Sequence, residues 1–236
     1  MHAATIPCRA AVRLRRCLTV AFSHRSFVLL IGLLAFLTAI SSASVASAAD
    51  ADVVRVKEDW RIEIGTPNAA EHAPQILTVM SPAGHIEGPH AIFELNHSTF
   101  PAFSPGGTQL QKWFGETNFG YRNFPNYDRL ATNDEVIEFT STMEVTDGDL
   151  VFEIRDGTSK TWSSFGGQGY LKTRFNYLPV SNLNDYRPEV STKNSRIGFA
   201  SHRVKKLVLK EVRYYSSEGL ITRDEADRVV HEHQPE

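Results

Sequence analysis

Short runs of alternating hydrophobic and polar residues dominate the chain between residues 50 and 220. Alternation with a period of two is typical of β-strands that bury one face. Gly, Pro, Asn and Asp separate these runs, which predict nine strands: 53–64, 75–80, 91–97, 108–114, 135–145, 149–156, 170–177, 196–200 and 205–215. The sequence therefore predicts an all-β fold, a single antiparallel two-sheet sandwich.

Two of these runs meet at Asp147-Gly148, a pair that favours the type I′ turn of a β-hairpin. With these two residues as the loop, positions 145, 143 and 141 face 150, 152 and 154, and positions 144, 142 and 140 face 151, 153 and 155. The first set is apolar and the second largely polar, as a sheet with one buried face requires. We therefore expect Glu144 and Glu153 to be solvated charges on the outer face.

The same patterns predict the core and the C-terminal end of the domain. In the last strand, Leu207 and Leu209 switch phase with Val212 and Tyr214, which predicts a β-bulge or a strand buried on both faces. After Gly219, a capping box that begins at Thr222 predicts a short C-terminal helix. The predicted core residues are Phe139, Met143, Val145, Leu150, Phe152, Ile154, Phe175 and Leu209.

The first 49 residues have the order of a signal peptide. Five arginines and no acidic residues accompany an apolar run at 27–40, and small residues follow as far as Ala49. The apolar run is shorter than the roughly 20 residues that span a bilayer. We expect cleavage after Ala48 or Ala49, a secreted or periplasmic protein without a membrane anchor, a sandwich domain at 50–220, and a helix with a charged tail at 221–236.

Removing the signal changes the charge and the cysteine content. Its five arginines leave 20 basic residues against 27 acidic ones, a formal net charge of −7 in place of −2. An acidic surface repels phosphate backbones, which argues against nucleic acid as a partner. Both cysteines, Cys8 and Cys17, lie in the signal, so the sequence predicts an exported domain without disulfides.

The densest aromatic segment, 112–128, has six aromatic residues among Gly, Asn and charged residues, without a period. Flat rings beside hydrogen-bonding side chains suit a pyranose, which has an apolar C–H face and a rim of hydroxyls. The sequence thus suggests that an aromatic loop at 113–127 binds a glycan or cell-surface polymer. The alternative is a structural loop or protein-interaction domain whose rings are buried anchors. The candidate ligand-binding residues are Trp113, Tyr121, Arg122, Asn123, Asn126, Tyr127, Asp128 and Trp162.

Metal-binding signals are weak. His85, Glu87, His90, Glu94 and His97 are close in sequence, but their spacing matches no zinc motif, and a surface loop explains them as well. Calcium could bind at 147–149 or 133–135, although both stretches are also ordinary turn sequences. We therefore expect no cofactor, with calcium as the open alternative.

Signatures of hydrolases are missing from the sequence. It has no Gly-x-Ser-x-Gly elbow and no His-Glu-x-x-His, and the segment after residue 49 has no Cys nucleophile. Glu135 with Glu138, or Glu144 with Glu153, could act as a glycosidase pair, but the hairpin register predicts that they are solvated. The sequence favours a binding domain, and a glycosidase or lyase of the same fold remains the alternative.

Three stretches, 142–156, 162–167 and 196–215, carry a resemblance to a known class of domain. An Ile-Gly-Phe strand, a variable turn and a terminal strand with Val-Arg near its end resemble the closing half of concanavalin A-like and laminin G-like sandwiches. The resemblance implies a sandwich of the concanavalin A-like or jelly-roll kind and contact with glycans. The Glu-x-Asp-x-x-Glu motif of the glucanase members is absent, so the resemblance implies no catalytic activity.

Overall fold

A computed structural model of the protein describes residues 51–65, 73–96, 107–124 and 134–233. These residues form two antiparallel sheets of eight and five strands, which confirms the predicted all-β sandwich. The strands are β1 (Arg55–Ile64), β2 (Gln75–Met80), β3 (Pro89–Leu95), β4 (Thr108–Phe114), β5 (Thr117–Phe124), β6 (Glu135–Thr146), β7 (Asp149–Ser159), β8 (Ser163–Phe165), β9 (Lys172–Phe175), β10 (Arg196–Phe199), β11 (Val204–Ser216), β12 (Gly219–Asp224) and β13 (Arg228–Glu232). One α-helix, α1 (Pro188–Asn194), precedes β10.

Neighbouring strands in the eight-stranded sheet follow the order β12-β11-β1-β6-β7-β8, while β13 also pairs with β11 and β9 with β7. The five-stranded sheet has the order β10-β2-β3-β4-β5. All nine predicted strands are present in the structure, whereas β5, β8, β12 and β13 were not predicted. Within the described ranges, no helix is long and apolar enough to cross a membrane.

The core lies between the inner faces of the two sheets. Along β1, Val56, Trp60, Ile62 and Ile64 are buried while the residues between them, Glu58 apart, are partly exposed. Seven of the eight predicted core residues are buried, and Val145 is partly buried against them. Burying side chains of this size stabilises the fold by roughly 1.5–3 kcal/mol each.

The β6–β7 hairpin has the register that its turn sequence predicts. All six predicted pairs are observed, from Val145 with Leu150 to Thr140 with Arg155. Asp147 and Gly148 have φ angles of 52° and 80°, as a type I′ turn requires. A two-residue turn thus fixes which side chains of both strands enter the core.

The last long strand contains a β-bulge, one of the two explanations that its change of phase allows. Asp59 pairs with Glu211 and the next residue, Trp60, pairs with Leu209, so Lys210 is an extra residue in β11. The extra residue shifts the alternation by one position. Leu209 and Val212 can therefore both be buried in spite of their different phase.

The position predicted for the C-terminal helix, after Gly219, is wrong. The segment forms β12 and β13, and the one α-helix in the described residues is α1, also in the C-terminal part of the chain. Both strands pair with the edge of β11, with Val212 opposite Asp224 and Leu209 opposite Arg228. An isolated helix of two turns is marginal in water. Hydrogen bonding to the open edge of β11 therefore stabilises strands in this segment rather than a helix.

The prediction of solvated outer-face carboxylates is wrong for Glu153 and Glu135. Glu153 is 6% exposed, because β9 pairs beside β7 and places Lys172 opposite it. Glu135 is fully buried and accepts hydrogen bonds from the backbone N–H and the hydroxyl of Thr161, at 2.9 and 2.6 Å. The local pattern of the hairpin reveals neither β9, which pairs beside Glu153, nor the turn that brings Thr161 to Glu135.

Glu58 is a fully buried carboxylate on the inner face of β1. It accepts hydrogen bonds from the Trp60 indole at 2.9 Å, from the Tyr186 hydroxyl at 2.6 Å and from the Ser191 hydroxyl. Burial raises the pKa of Glu58 to about 7, although these hydrogen bonds and Arg228 oppose the shift. The carboxyl therefore connects α1 and the preceding loop to the large sheet, and it titrates near neutral pH.

Candidate functional site

The aromatic segment at 113–127 begins as a β-hairpin rather than as the predicted loop. β4 ends at Phe114, a turn follows at 115 and 116, and β5 begins at Thr117, which pairs with Phe114. Gly115 has a φ of 55°, which side chains other than glycine rarely adopt, and this allows the tight turn. Because strand residues alternate between faces, the hairpin sorts its rings and polar side chains onto two sides.

Polar and aromatic side chains share the outer face of the five-stranded sheet. Leu110 of β4 is buried in the core, so Gln109, Gln111 and Trp113 face outward. Their partners on β5 and β3 lie on the same face. We name this set the amide face: Gln75, Glu94, Gln109, Gln111, Trp113, Asn118, Tyr121 and Asn123.

Glu94 is the anchor of the amide face. It is 7% exposed and accepts hydrogen bonds from the side-chain amides of Gln75 and Gln111, the latter at 2.9 Å. Burial raises the pKa of Glu94 to about 6, while Gln111 and the positive charge of Arg196 oppose the shift. Because an ionised carboxylate can only accept hydrogen bonds, both amides must direct their NH₂ groups toward it.

The orientation of Gln111 in turn fixes Trp113. With its NH₂ group directed at Glu94, Gln111 presents its Oε1 atom to the Trp113 indole N–H, which donates at 2.7 Å. Asn118 also donates to this oxygen, at 3.4 Å. Trp113 and Gln111 are two positions apart on one strand face, so the indole lies along β4 and remains partly exposed. A buried carboxylate therefore holds a surface ring in one orientation.

The hydrogen-bonded row continues to the edge strand. Gln111 donates to Gln109 Oε1, and Gln109 donates to Asn123 Oδ1 at 2.7 Å. Tyr121 pairs with Gln111 across the strands, and its side chain is 56% exposed. The amide face thus presents two rings beside a row of amide donors and acceptors.

The structure brings together only part of the predicted site. Trp113, Tyr121 and Asn123 share the amide face, whereas Arg122 pairs with the core residue Leu110 and lies on the opposite face of β5. Asn126, Tyr127 and Asp128 lie outside the described residues.

Trp162 does not belong to this surface. Its ring is fully buried in the core, and its backbone N–H donates to Ser159 Oγ at 2.9 Å. The turn at 160–162 leads from β7 back into β8, which pairs with β7, and the indole is packed in the core of the sandwich. A ring in that position cannot stack on a ligand at the surface.

The other side of the hairpin carries an aromatic cluster next to the large sheet. Phe119 lies between Phe114 and Phe175, with ring centroids 6.5 and 6.0 Å away. Lys112 Nζ lies 5.6 Å from the centroid of Phe175 and donates to the backbone oxygen of Arg174. This side of the hairpin contacts β9, as the alternative of anchoring rings predicts, although Phe114 and Phe119 remain 46% and 55% exposed.

Metal ligands do not converge in the part of the chain that the structure describes. The ring of His85 lies 3.0 Å from Glu87 on the surface, while His90 is buried and burial lowers its pKa. No group of three or more His, Cys, Asp or Glu residues comes together there, and His97 lies outside these ranges.

The two stretches considered for calcium have other contacts. Asp147 forms the hairpin turn, and Asp149 lies 3.3 Å from Arg174. Asn133 lies outside the described residues, Asp134 pairs with Lys205, and both carboxylate oxygens of Glu135 accept hydrogen bonds.

Five residues of the amide face were missed in the sequence: Gln75, Glu94, Gln109, Gln111 and Asn118. A signal was present in β4, where Gln109 and Gln111 alternate with buried residues and continue to Trp113. Glu94 could not be linked to them, because the local pattern does not show which residues of β3 and β4 pair with each other across the sheet.

Comparison with protein-family models finds no matching family, and comparison with curated proteins finds no similar sequence. The functional inference therefore depends on the geometry of the site.

Proposed function

We propose that the protein binds carbohydrate, a glycan or cell-surface polymer, on the amide face. The observation that carries this proposal is the Trp113 indole, which is held along β4 by Gln111 while Tyr121 lies exposed opposite Gln111. Partly exposed rings can cover the C–H face of a pyranose, and neighbouring amides can bond its hydroxyls. Prior fixation of the ring also reduces the entropy lost on binding.

The chemistry of the amide face favours a neutral, hydroxyl-rich ligand. Side-chain amides both donate and accept, as sugar hydroxyls do. Among the described residues, Glu94 is the one carboxylate on this face, and both of its oxygens are occupied by Gln75 and Gln111. The basic residue of the same face, Arg196, is on β10 at the far edge of the sheet from Tyr121. An acidic sugar would therefore gain no direct ion pair beside the rings.

Two features of the sequence support this role. The stretch 142–215 resembles concanavalin A-like and laminin G-like domains, which implies contact with glycans. The signal-like order of residues 1–49 favours export, and export would bring the domain to extracellular or periplasmic polymers.

A glycan array followed by calorimetry with the best neutral oligosaccharide tests the proposal. We expect the exported domain to bind, and Trp113→Ala and Tyr121→Ala each to weaken binding about tenfold or more. Phe119→Ala is the matched control, because Phe119 is as exposed as Tyr121 but lies on the other side of β5. Equal losses in Phe119→Ala and Tyr121→Ala, or no binding by the wild type, would contradict the proposal.

A protein-interaction domain is the second candidate, favoured by the exposed rings of Phe114 and Phe119. This alternative predicts that the protein binds no sugar and that Phe119→Ala weakens binding of a protein partner.

A glycosidase or lyase would instead release products from the polysaccharide that it binds. Chromatography of the ligand after incubation with the protein therefore separates binding from turnover.

A further inference from the structure

A cavity of about 390 Å³ opens on the outer face of the eight-stranded sheet, away from the amide face. Its floor is formed by β1 and β6, and its sides by β7 and β11. The volume is within the range of small-molecule sites. We name it the charged groove, after the charged residues among those that line it: Asp59, Arg61, Glu138, Asp156, Lys210, Glu211 and Arg213.

β-Bulges interrupt the strands on both sides of the charged groove. On one side, Lys210 is the extra residue of β11. On the other, Glu138 pairs with Thr158 and Thr140 pairs with Arg155, so Asp156 and Gly157 stand opposite a single residue of β6. Bulges of this kind redirect side chains and are frequent beside functional sites. The two bulges bring Lys210 and Asp156 to opposite sides of one depression.

Most charges of the charged groove are matched by a neighbour. Arg61 Nη1 lies 2.8 Å from Glu138, and Lys210 Nζ lies 2.7 Å from Asp227. Asp59 pairs with Arg213 and also accepts a hydrogen bond from Thr140, at 2.6 Å. These pairs neutralise one another and leave little net charge along the floor.

Asp156 differs from the other charges of the groove. It is exposed, and it has neither an ion pair nor a side-chain hydrogen bond within the described residues. Its φ is 53°, a left-handed conformation that is costly for most side chains and tolerated by Asp and Asn. A bulge therefore fixes an uncompensated negative charge at the side of a polar cavity.

We propose that the charged groove is a second ligand site, which binds a saccharide carrying primary ammonium groups, such as a glucosamine oligomer. The ammonium pairs with Asp156, and the ion-paired carboxylates and Thr140 on the floor accept hydrogen bonds from hydroxyls. N-acetylation removes the positive charge and adds bulk, so the acetylated oligomer is excluded. The proposal is independent of the amide face, because the two sites share no residue.

Calorimetry at low ionic strength with a fully deacetylated glucosamine oligomer and its N-acetylated counterpart tests this site. We expect binding of the deacetylated oligomer alone, and a loss of roughly tenfold in Asp156→Asn. Asn retains the left-handed backbone, so the variant should fold. Raising the salt concentration should weaken binding, because the contact is between exposed charges.

Asp147→Asn is the matched control, because Asp147 is also an exposed aspartate with a left-handed φ, at the far end of the same hairpin. It should bind the deacetylated oligomer as the wild type does, and so should Trp113→Ala. Equal binding of the two oligomers, no binding of either, or equal losses in Asp147→Asn and Asp156→Asn would overturn the proposal.

Discussion

The outer faces of the two sheets use different chemistry. The amide face is built from neutral amides and rings around one buried carboxylate, whereas the eight-stranded sheet carries interleaved ion pairs such as Arg61 with Glu138. Charged pairs on an open sheet satisfy one another and are screened by salt. Neutral amides still present donors and acceptors to a neutral ligand. We infer that the two faces suit ligands of different charge.

Two buried glutamates, one on each outer face, show the difference between neutral and charged partners. Glu94 and Glu153 are 7% and 6% exposed on the outer faces of their sheets. Glu94 is held by two glutamine amides, while Glu153 lies 2.9 Å from Arg155 and 3.7 Å from Lys172. Equal burial therefore does not imply an equal role, because the charge of the partners decides what the carboxylate can do.

The largest effect is expected in the core that both faces share. Met143→Asp places a carboxylate without a partner at a fully buried position of β6, at a cost of several kcal/mol. We expect the variant to lose the cooperative urea transition and both binding activities, whereas Met143→Leu, which conserves volume, keeps them. A folded Met143→Asp protein with one face active would mean that the two faces do not depend on one core.

The next largest effect is a dependence of stability on pH. The pKa of Glu58 is raised to about 7, so the folded protein binds this proton more tightly than the unfolded chain. The resulting stability is complete below about pH 4.5 and is lost as the pH rises through 7, a change of about 3 kcal/mol. Urea unfolding at pH 5 and pH 8 measures it.

Glu58→Gln should remove most of this difference, because an amide does not titrate. Glu218→Gln, at an exposed position on the β11–β12 turn, should leave it unchanged. A protein that becomes more stable from pH 5 to pH 8 would contradict the direction assigned to Glu58.

The smallest effects distinguish the two outer-face glutamates directly. At pH 8, Glu94→Gln removes a buried charge that no cation among the described residues contacts, and we expect a gain of about 1 kcal/mol in the free energy of unfolding. Glu153→Gln leaves Arg155 and Lys172 without their counter-charge, and we expect a loss of about 1–2 kcal/mol. Changes of the same sign in both variants would show that the partners do not matter.

The sequence by itself determined the features that depend on neighbours along the chain. A period of two predicts the strands, and Asp147-Gly148 fixes the register of the β6–β7 hairpin to the residue. The phase change around Leu209 indicates an irregularity in the strand, which the structure shows to be a bulge at Lys210. These features require only local backbone geometry and the burial of one face.

The tertiary structure decided everything that depends on which strands become neighbours. The edge of β11 offers hydrogen bonds to the segment after Gly219, so strands form there instead of the predicted helix. The pairing of β3 with β4 brings Glu94 to Gln111 and so holds Trp113 in place, and the folding back of β8 buries Trp162. These pairings leave no period in the sequence, because their register and the burial that follows from it result from the packing of the whole chain.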